Sequence, residues 1–304
     1  MSNAIHDILT QYPVGDALPR LRDALSAGHA VLTAPPGSGK TTLAPLGLLG
    51  APWLAGRRIL MLEPRRIAAR SAAQRMADLL GEPVGRTVGF QVRFERNISG
   101  ATRIEVVTEG ILTRRLQRDP SLEEVGLVIF DEFHERNLQA DLGLAFCLDA
   151  AEGLRDDLRL LVMSATLDAD ARRIATLLDD APVVTAQGLS HPVELRYLDR
   201  EPGTPADETA RAVRRALAGQ SQDVLAFLPG AGEIRKTQRL LEGHLPADCI
   251  VRPLYGDLPF PDQVAALRPD PTRRRVVLAT DIAETSLTIE GISTVVDCGL
   301  AREP

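Results

Sequence analysis

Ala34-Pro-Pro-Gly-Ser-Gly-Lys-Thr-Thr42 is the stretch whose reading decides the fold. Residues 29–34 before it read as a short buried strand, and Thr42-Leu-Ala-Pro-Leu46 after it opens a helical pattern. Strand, glycine loop and helix start together are the context of a phosphate-binding loop. Gly37 and Gly39 lack side chains, so backbone N–H groups around Ser38 can turn inward on phosphate oxygens. A helix beginning at Lys40 adds the positive end of its dipole. In that arrangement Lys40 reaches the β- and γ-phosphates of ATP or another nucleoside triphosphate, and the Thr41 hydroxyl holds Mg²⁺. Gly37, Ser38, Gly39, Lys40, Thr41 and Thr42 are the expected nucleotide-binding set. The strict pattern has glycine at position 34; Ala34 is small enough for the same turn.

Working outward, Gly126-Leu-Val-Ile-Phe-Asp-Glu132 is an apolar strand that ends in two acids. A phosphate-loop enzyme needs such a tip on a neighbouring strand. Asp131 completes the Mg²⁺ shell, and Glu132, within reach of the metal, orients and deprotonates the attacking water.

Strand patterns recur at 29–34, 58–63, 103–108, 126–131, 158–163, 223–228, 249–254, 274–280 and 293–297, with helical patterns such as 67–80, 138–152 and 206–219 between them. Continuous apolar runs such as Arg58-Ile-Leu-Met-Leu-Glu63 suit a parallel sheet covered on both faces. The class is therefore α/β, built from βαβ units. A length of 304 residues favours about two domains. The Pro-, Gly- and Asp-rich segment 180–204 reads as the boundary, giving domains 1–185 and 186–304.

Composition excludes several classes. No apolar run approaches the ~18 residues of a membrane span, and the N-terminus shows no secretory leader. Cys147, Cys249 and Cys298 are odd in number and far apart, which reads as reduced thiols in a cytoplasmic protein rather than a disulfide frame or zinc site. The net charge of −6 hides an asymmetry: residues 57–118 hold 13 Arg against 6 Asp or Glu. Arg is suited to forked phosphate contacts. Arg114, Arg115 and Arg118 read as a solvated helix face.

Asp131-Glu-Phe-His-Glu-Arg136 resembles the Asp-Glu-Ala-His box of the DEAH-box helicases of superfamily 2, with Phe133 pointing to a bacterial branch. Further motifs follow in that family's order: Glu63-Pro-Arg-Arg-Ile-Ala-Ala-Arg70, Thr108-Glu-Gly-Ile-Leu112, Ser164-Ala-Thr166, Phe227-Leu-Pro-Gly-Ala-Gly-Glu233, Leu254-Tyr-Gly-Asp-Leu-Pro259 and Ala279-Thr-Asp-Ile-Ala-Glu-Thr-Ser-Leu-Thr-Ile289. The resemblance implies two RecA-like P-loop NTPase domains with mostly parallel sheets, the second incomplete. ATP would lie in the cleft between them, and single-stranded RNA, or DNA, would cross both. It further implies that His134 reports the γ-phosphate to Ser164 and Thr166, and that Asp281 and Thr285 bring the second domain to the nucleotide. Arg65, Arg66, Thr108, Glu109, Gly110, Pro229, Gly230 and Thr280 would hold the nucleic-acid backbone. Arg75 is the candidate to stack on the base, opposite a helix that offers Leu267 and no aromatic. With 4% aromatic residues, base stacking should be sparse.

The same resemblance implies an arginine-bearing motif VI that does not occur before Pro304. A monomeric fragment that binds nucleotide, hydrolyses it weakly and does not unwind processively is the expectation. Two readings stand side by side: an ATP-driven helicase or translocase, and a non-catalytic module that clamps nucleic acid or a protein and uses nucleotide only as a switch.

Overall fold

The computed structural model describes residues 8–165, 169–188, 192–198, 203–219, 222–283 and 289–301. The chain divides into two compact units, Met1–His191 and Pro192–Pro304. Both are RecA-like α/β units.

In the first unit an eight-stranded sheet has the order β4-β3-β5-β2-β6-β7-β1-β8. Its strands are β1 (Ala30–Thr33), β2 (Arg58–Glu63), β3 (Val88–Val92), β4 (Glu95–Asn97), β5 (Ile104–Thr108), β6 (Val125–Phe130), β7 (Arg159–Ser164) and β8 (Val183–Thr185). All pairings are parallel except β3–β4. Alternation along the strands sends side chains to opposite faces. Ile59 and Met61 of β2 enter one core with α1 (Pro13–Ala27), α2 (Lys40–Leu48) and α3 (Arg66–Leu80). Leu60 and Leu62 enter the other, with α4 (Glu109–Arg118), α5 (Leu138–Gly153) and α6 (Ala169–Leu177). Burial on both faces is why these strands read as unbroken apolar runs.

The second unit carries the parallel sheet β10-β11-β9-β12, made of β9 (Asp223–Phe227), β10 (Cys249–Leu254), β11 (Arg274–Ala279) and β12 (Ile292–Asp297). Its helices are α7 (Pro205–Ala218), α8 (Ala231–Leu241) and α9 (Phe260–Leu267). Val213 and Leu217 of α7 and Ile234 and Leu241 of α8 pack with Val224, Val276 and Leu278 of the sheet. Arg275, fully buried, pins this unit together. Its Nε donates to Asp223 Oδ2 at 2.7 Å, and its other nitrogens donate to the carbonyls of Ala266 (2.8 Å), Arg268 (2.5 Å) and Glu290.

Three strands depart from the sequence expectations. β3 is short and interrupted by Gly89, and β4 has no apolar residue; it forms as the antiparallel partner of β3. β8 lies inside the segment read as a boundary, yet it pairs with β1. Parallel strands share one carboxyl edge. Thr33 stands beside Ser164, Glu63 beside Thr108, and Leu62 beside Phe130. This is the edge where open α/β sheets bind ligands.

Candidate active site

Gly37 and Gly39 sit in the left-handed region, at φ 76° and 88°. At Gly39 a Cβ would also lie 2.8 Å from Leu43 Cδ1, so the turn into α2 admits only glycine there. Gly39 caps α2 with no side chain, which leaves first-turn N–H groups without a side-chain acceptor. Ser38 is buried, and its Oγ has no hydrogen-bond partner among the described residues. Thr42 is half-buried in the first turn.

The loop and the acidic strand tip, some 90 residues apart in sequence, meet directly. Lys40 Nζ donates to Glu132 Oε1 at 2.8 Å, and Thr41 Oγ1 donates to Asp131 Oδ2 at 2.5 Å. The Glu132 N–H in turn donates to Asp131 Oδ1 at 2.8 Å. Glu132 adopts φ 48°, a strained conformation for a non-glycine residue and one that collects at functional sites. His134 Nδ1 lies 3.4 Å from Glu132 Oε2 and faces the Ala165 N–H, also at 3.4 Å. The strand-tip acid is thereby linked to Ser164-Ala165 at the end of β7. Ser164 is buried; Thr166 lies outside the described residues.

Electrostatics at the tip are set by a surplus of acid. Lys40 is buried, which works against its charge, yet Asp131 and Glu132 outweigh that and raise its pKa. Burial raises the Glu132 carboxyl, with Asp131 adding and Lys40 and His134 opposing. Glu63, at the end of β2, is a third acid here. Burial, then Asp131 and Glu132, hold its carboxyl well above the ordinary range. Neither of its oxygens accepts a hydrogen bond from a donor among the described residues; the hydrogen bond open to it is a proton shared with Asp131. Sequence reasoning quoted Glu63 within a motif without giving it a part. The signal was available, because β2 and β6 are both apolar runs that end in acid.

Further along the edge, the segment after the acidic tip reaches the basic elements. Arg65, the N-cap residue of α3, lies 3.8 Å from Glu135, and Arg66 is exposed. Asn137 Nδ2 donates to Glu109 Oε1 at 2.6 Å while its Oδ1 caps α5 through the N–H groups of Gln139 and Ala140. Burial raises the Glu109 carboxyl, Asn137 opposes this, and Glu135 and Asp141 add to it. Thr108 caps α4 without a side-chain bond and Gly110 is exposed. Replacing Asn137 with Ala removes a helix cap worth about 1 kcal/mol and the donor that holds Glu109. The urea midpoint is expected to fall accordingly, and Asn137→Asp should restore the cap but not the bond to Glu109.

Other sequence assignments fare differently. Arg115 is no solvated residue: it forks onto the buried carboxylate of Glu105, at 3.0 and 2.5 Å. Helical spacing alone could not reveal that, because Glu105 lies on β5. Arg114 and Arg118 are exposed. Arg75 is exposed on α3, and Leu267 is buried in α9. In the second unit Pro229 is half-buried and Gly230 buried before α8, Thr280 follows β11, and Asp281 is exposed. Thr285 lies outside the described residues. Cys147 is a buried core residue whose thiol is pushed up to about 12 by burial. No described helix is long and apolar enough to cross a membrane.

The sequence pattern of the DEAD/DEAH box helicases matches residues 17–174. The chain belongs to the DEAD/DEAH box helicase family. Within it, the chain is 52% identical over 297 residues to the ATP-dependent RNA helicase HrpB of Escherichia coli, covering 97% of this chain and 36% of that protein. It is 36% identical over 306 residues to the ATP-dependent RNA helicase DHX33 of Homo sapiens, covering 95% and 42%. A crystal structure of the E. coli DEAH/RHA helicase HrpB superposes with a TM-score of 0.88 at 51% identity, over 96% of this chain and 37% of that one. The chain thus spans well under half the length of these helicase relatives.

Proposed function

We propose that this chain is the nucleotide-binding part of a DEAH-type RNA helicase or translocase, coupling hydrolysis of ATP or another nucleoside triphosphate to movement on single-stranded nucleic acid. The observation that carries this reading is the meeting of Lys40 with Glu132 and of Thr41 with Asp131. The donor set suits Mg²⁺. Among the described residues no group of three His, Cys, Asp or Glu side chains is placed to hold a metal ion by itself, and Mg²⁺ typically binds through one or two carboxylates plus phosphates and water. Thr41 and Asp131, with Glu132 in reach, would hold the metal, and its charge would supply neutralisation of the phosphates.

The protein's own groups do the rest. Backbone N–H groups of 37–41 cradle the phosphates, and Lys40 leaves Glu132 to meet them. Released from that ion pair, Glu132 takes the proton of the attacking water. His134 and Ser164 carry the state of the γ-phosphate away from the site. Arg65, Arg66 and the free N–H groups before Gly110 grip RNA phosphates on the first unit, with Pro229, Gly230 and Thr280 as contacts on the second.

These 304 residues contain no arginine that the motifs place on the γ-phosphate. Such a finger is worth ~10³–10⁵ in rate, so the chain by itself should bind nucleotide and turn it over slowly. The test is binding of a fluorescent ATP analogue with Mg²⁺, alongside hydrolysis with and without single-stranded RNA and DNA. Glu132→Gln should keep the analogue bound and lower the residual hydrolysis by about 10²-fold. Mg²⁺-dependent binding with no stimulation of hydrolysis by single strands would favour the switch reading, and rapid RNA-stimulated hydrolysis by these residues alone would refute the slow-turnover claim.

A further inference from the structure

Catalysis as described leaves one buried acid without a task. Glu63 is 1% exposed, and apart from a proton shared with Asp131 neither of its carboxyl oxygens has a hydrogen-bond partner among the described residues. Buried polar groups are nearly always satisfied, and an orphan calls for an explanation. Its place in the sheet supplies one. β2 and β6 are neighbours, Leu62 stands beside Phe130, and the Asp131 N–H donates to the Leu62 carbonyl at 3.1 Å. Glu63 and Asp131 therefore leave adjacent strands side by side, at the same edge. Three carboxyl groups, Glu63, Asp131 and Glu132, then face one ammonium, Lys40.

A structural role alone does not account for an acid at position 63. A carboxyl packed against two others costs stability, and glutamine would fill the same volume without charge. A hydrated divalent cation fits better. Mg²⁺ dehydrates reluctantly and keeps several waters, whose hydrogens need acceptors. Outer acceptors of this kind tune metal affinity without touching the metal.

We propose that Glu63 is the outer-sphere acceptor of the Mg²⁺ site: its carboxylate takes hydrogen bonds from metal-bound water beside Asp131 and so strengthens metal-dependent nucleotide binding. The inference rests on reading the glycine loop as a Mg²⁺-nucleotide site.

Binding of a fluorescent ADP analogue, titrated with Mg²⁺ from an EDTA zero point, tests it on the wild-type chain and on Glu63→Gln. The variant should need ~10–100-fold more Mg²⁺ for half-maximal binding. Its affinity in EDTA should stay unchanged, and its metal-free melting temperature should be equal or higher. Glu63→Asp, which keeps a carboxylate, should lose less than Glu63→Gln. Identical Mg²⁺ dependence in wild type and Glu63→Gln would overturn the proposal, as would a Glu63→Gln loss that is equally large in EDTA, or equal losses in the Gln and Asp variants. If the wild type itself binds the analogue without regard to Mg²⁺, the underlying reading of the site fails rather than the part given to Glu63.

Discussion

Lys40→Ala should abolish measurable nucleotide binding. Lys40 is buried, is drawn into the cluster of Glu63, Asp131 and Glu132, and is anchored 2.8 Å from Glu132. Without it a triphosphate would enter a site of like charge. Truncating one partner of a buried charge pair formed on binding costs ~2–5 kcal/mol of binding, which at about 1.4 kcal/mol per decade is a fall of roughly 30-fold to more than 10³-fold in affinity. Hydrolysis should fall with it, because in the proposed reading the same ammonium would meet the β- and γ-phosphates. Lys40→Arg should not restore function, since the longer planar group does not fit a site built for a compact ammonium. Equilibrium binding of the fluorescent analogue reads the effect; an Lys40→Ala variant with wild-type affinity would show that the phosphates are held elsewhere.

Arg275→Ala should have the largest effect on stability. The side chain is fully buried, and its forked donors satisfy Asp223 and three backbone carbonyls from the end of α9 and the approach to β12. Truncation leaves Asp223 without its partner and those carbonyls without donors. The expected loss is ~3–5 kcal/mol, a large part of the ~5–15 kcal/mol that holds a typical domain. For a unit of this size that corresponds to a fall of ~10 °C or more in its melting temperature. Arg275→Lys should recover little, because one ammonium cannot reach the same set of acceptors. Differential scanning calorimetry should show the transition of the second unit move while that of the first stays, and an unmoved transition would mean that this arginine contributes no net stability.

The features legible in sequence are those whose physics is local. A strand buried on both faces must be apolar throughout, so β1, β2, β6 and β7 announce themselves. A glycine loop followed by Lys40 and Thr41 states its own geometry, and Asp131-Glu132 mark a strand tip. What was missed depends on partners distant in the chain. β4 has the composition of a loop and becomes a strand through pairing with β3. Arg115 looks like a surface residue until β5 presents Glu105. Arg275 stands in the run Arg273-Arg-Arg275 at the start of the strand expected over 274–280, with no partner visible in the sequence. Strand pairing with β9 is what sets Asp223 against it and draws it inside. Glu63 was visible as an acid ending an apolar run, but its neighbours were not. An acid at a strand end is unremarkable until the neighbouring strand is known to end in two more.

The most direct test of the account is a crystal structure of the chain with ADP and Mg²⁺. It should show the β-phosphate among the N–H groups of 37–41, with Lys40 Nζ on a phosphate oxygen and the metal between Thr41 and Asp131. Nucleotide bound anywhere else, or Asp131 and Glu132 turned away from it, would contradict the account.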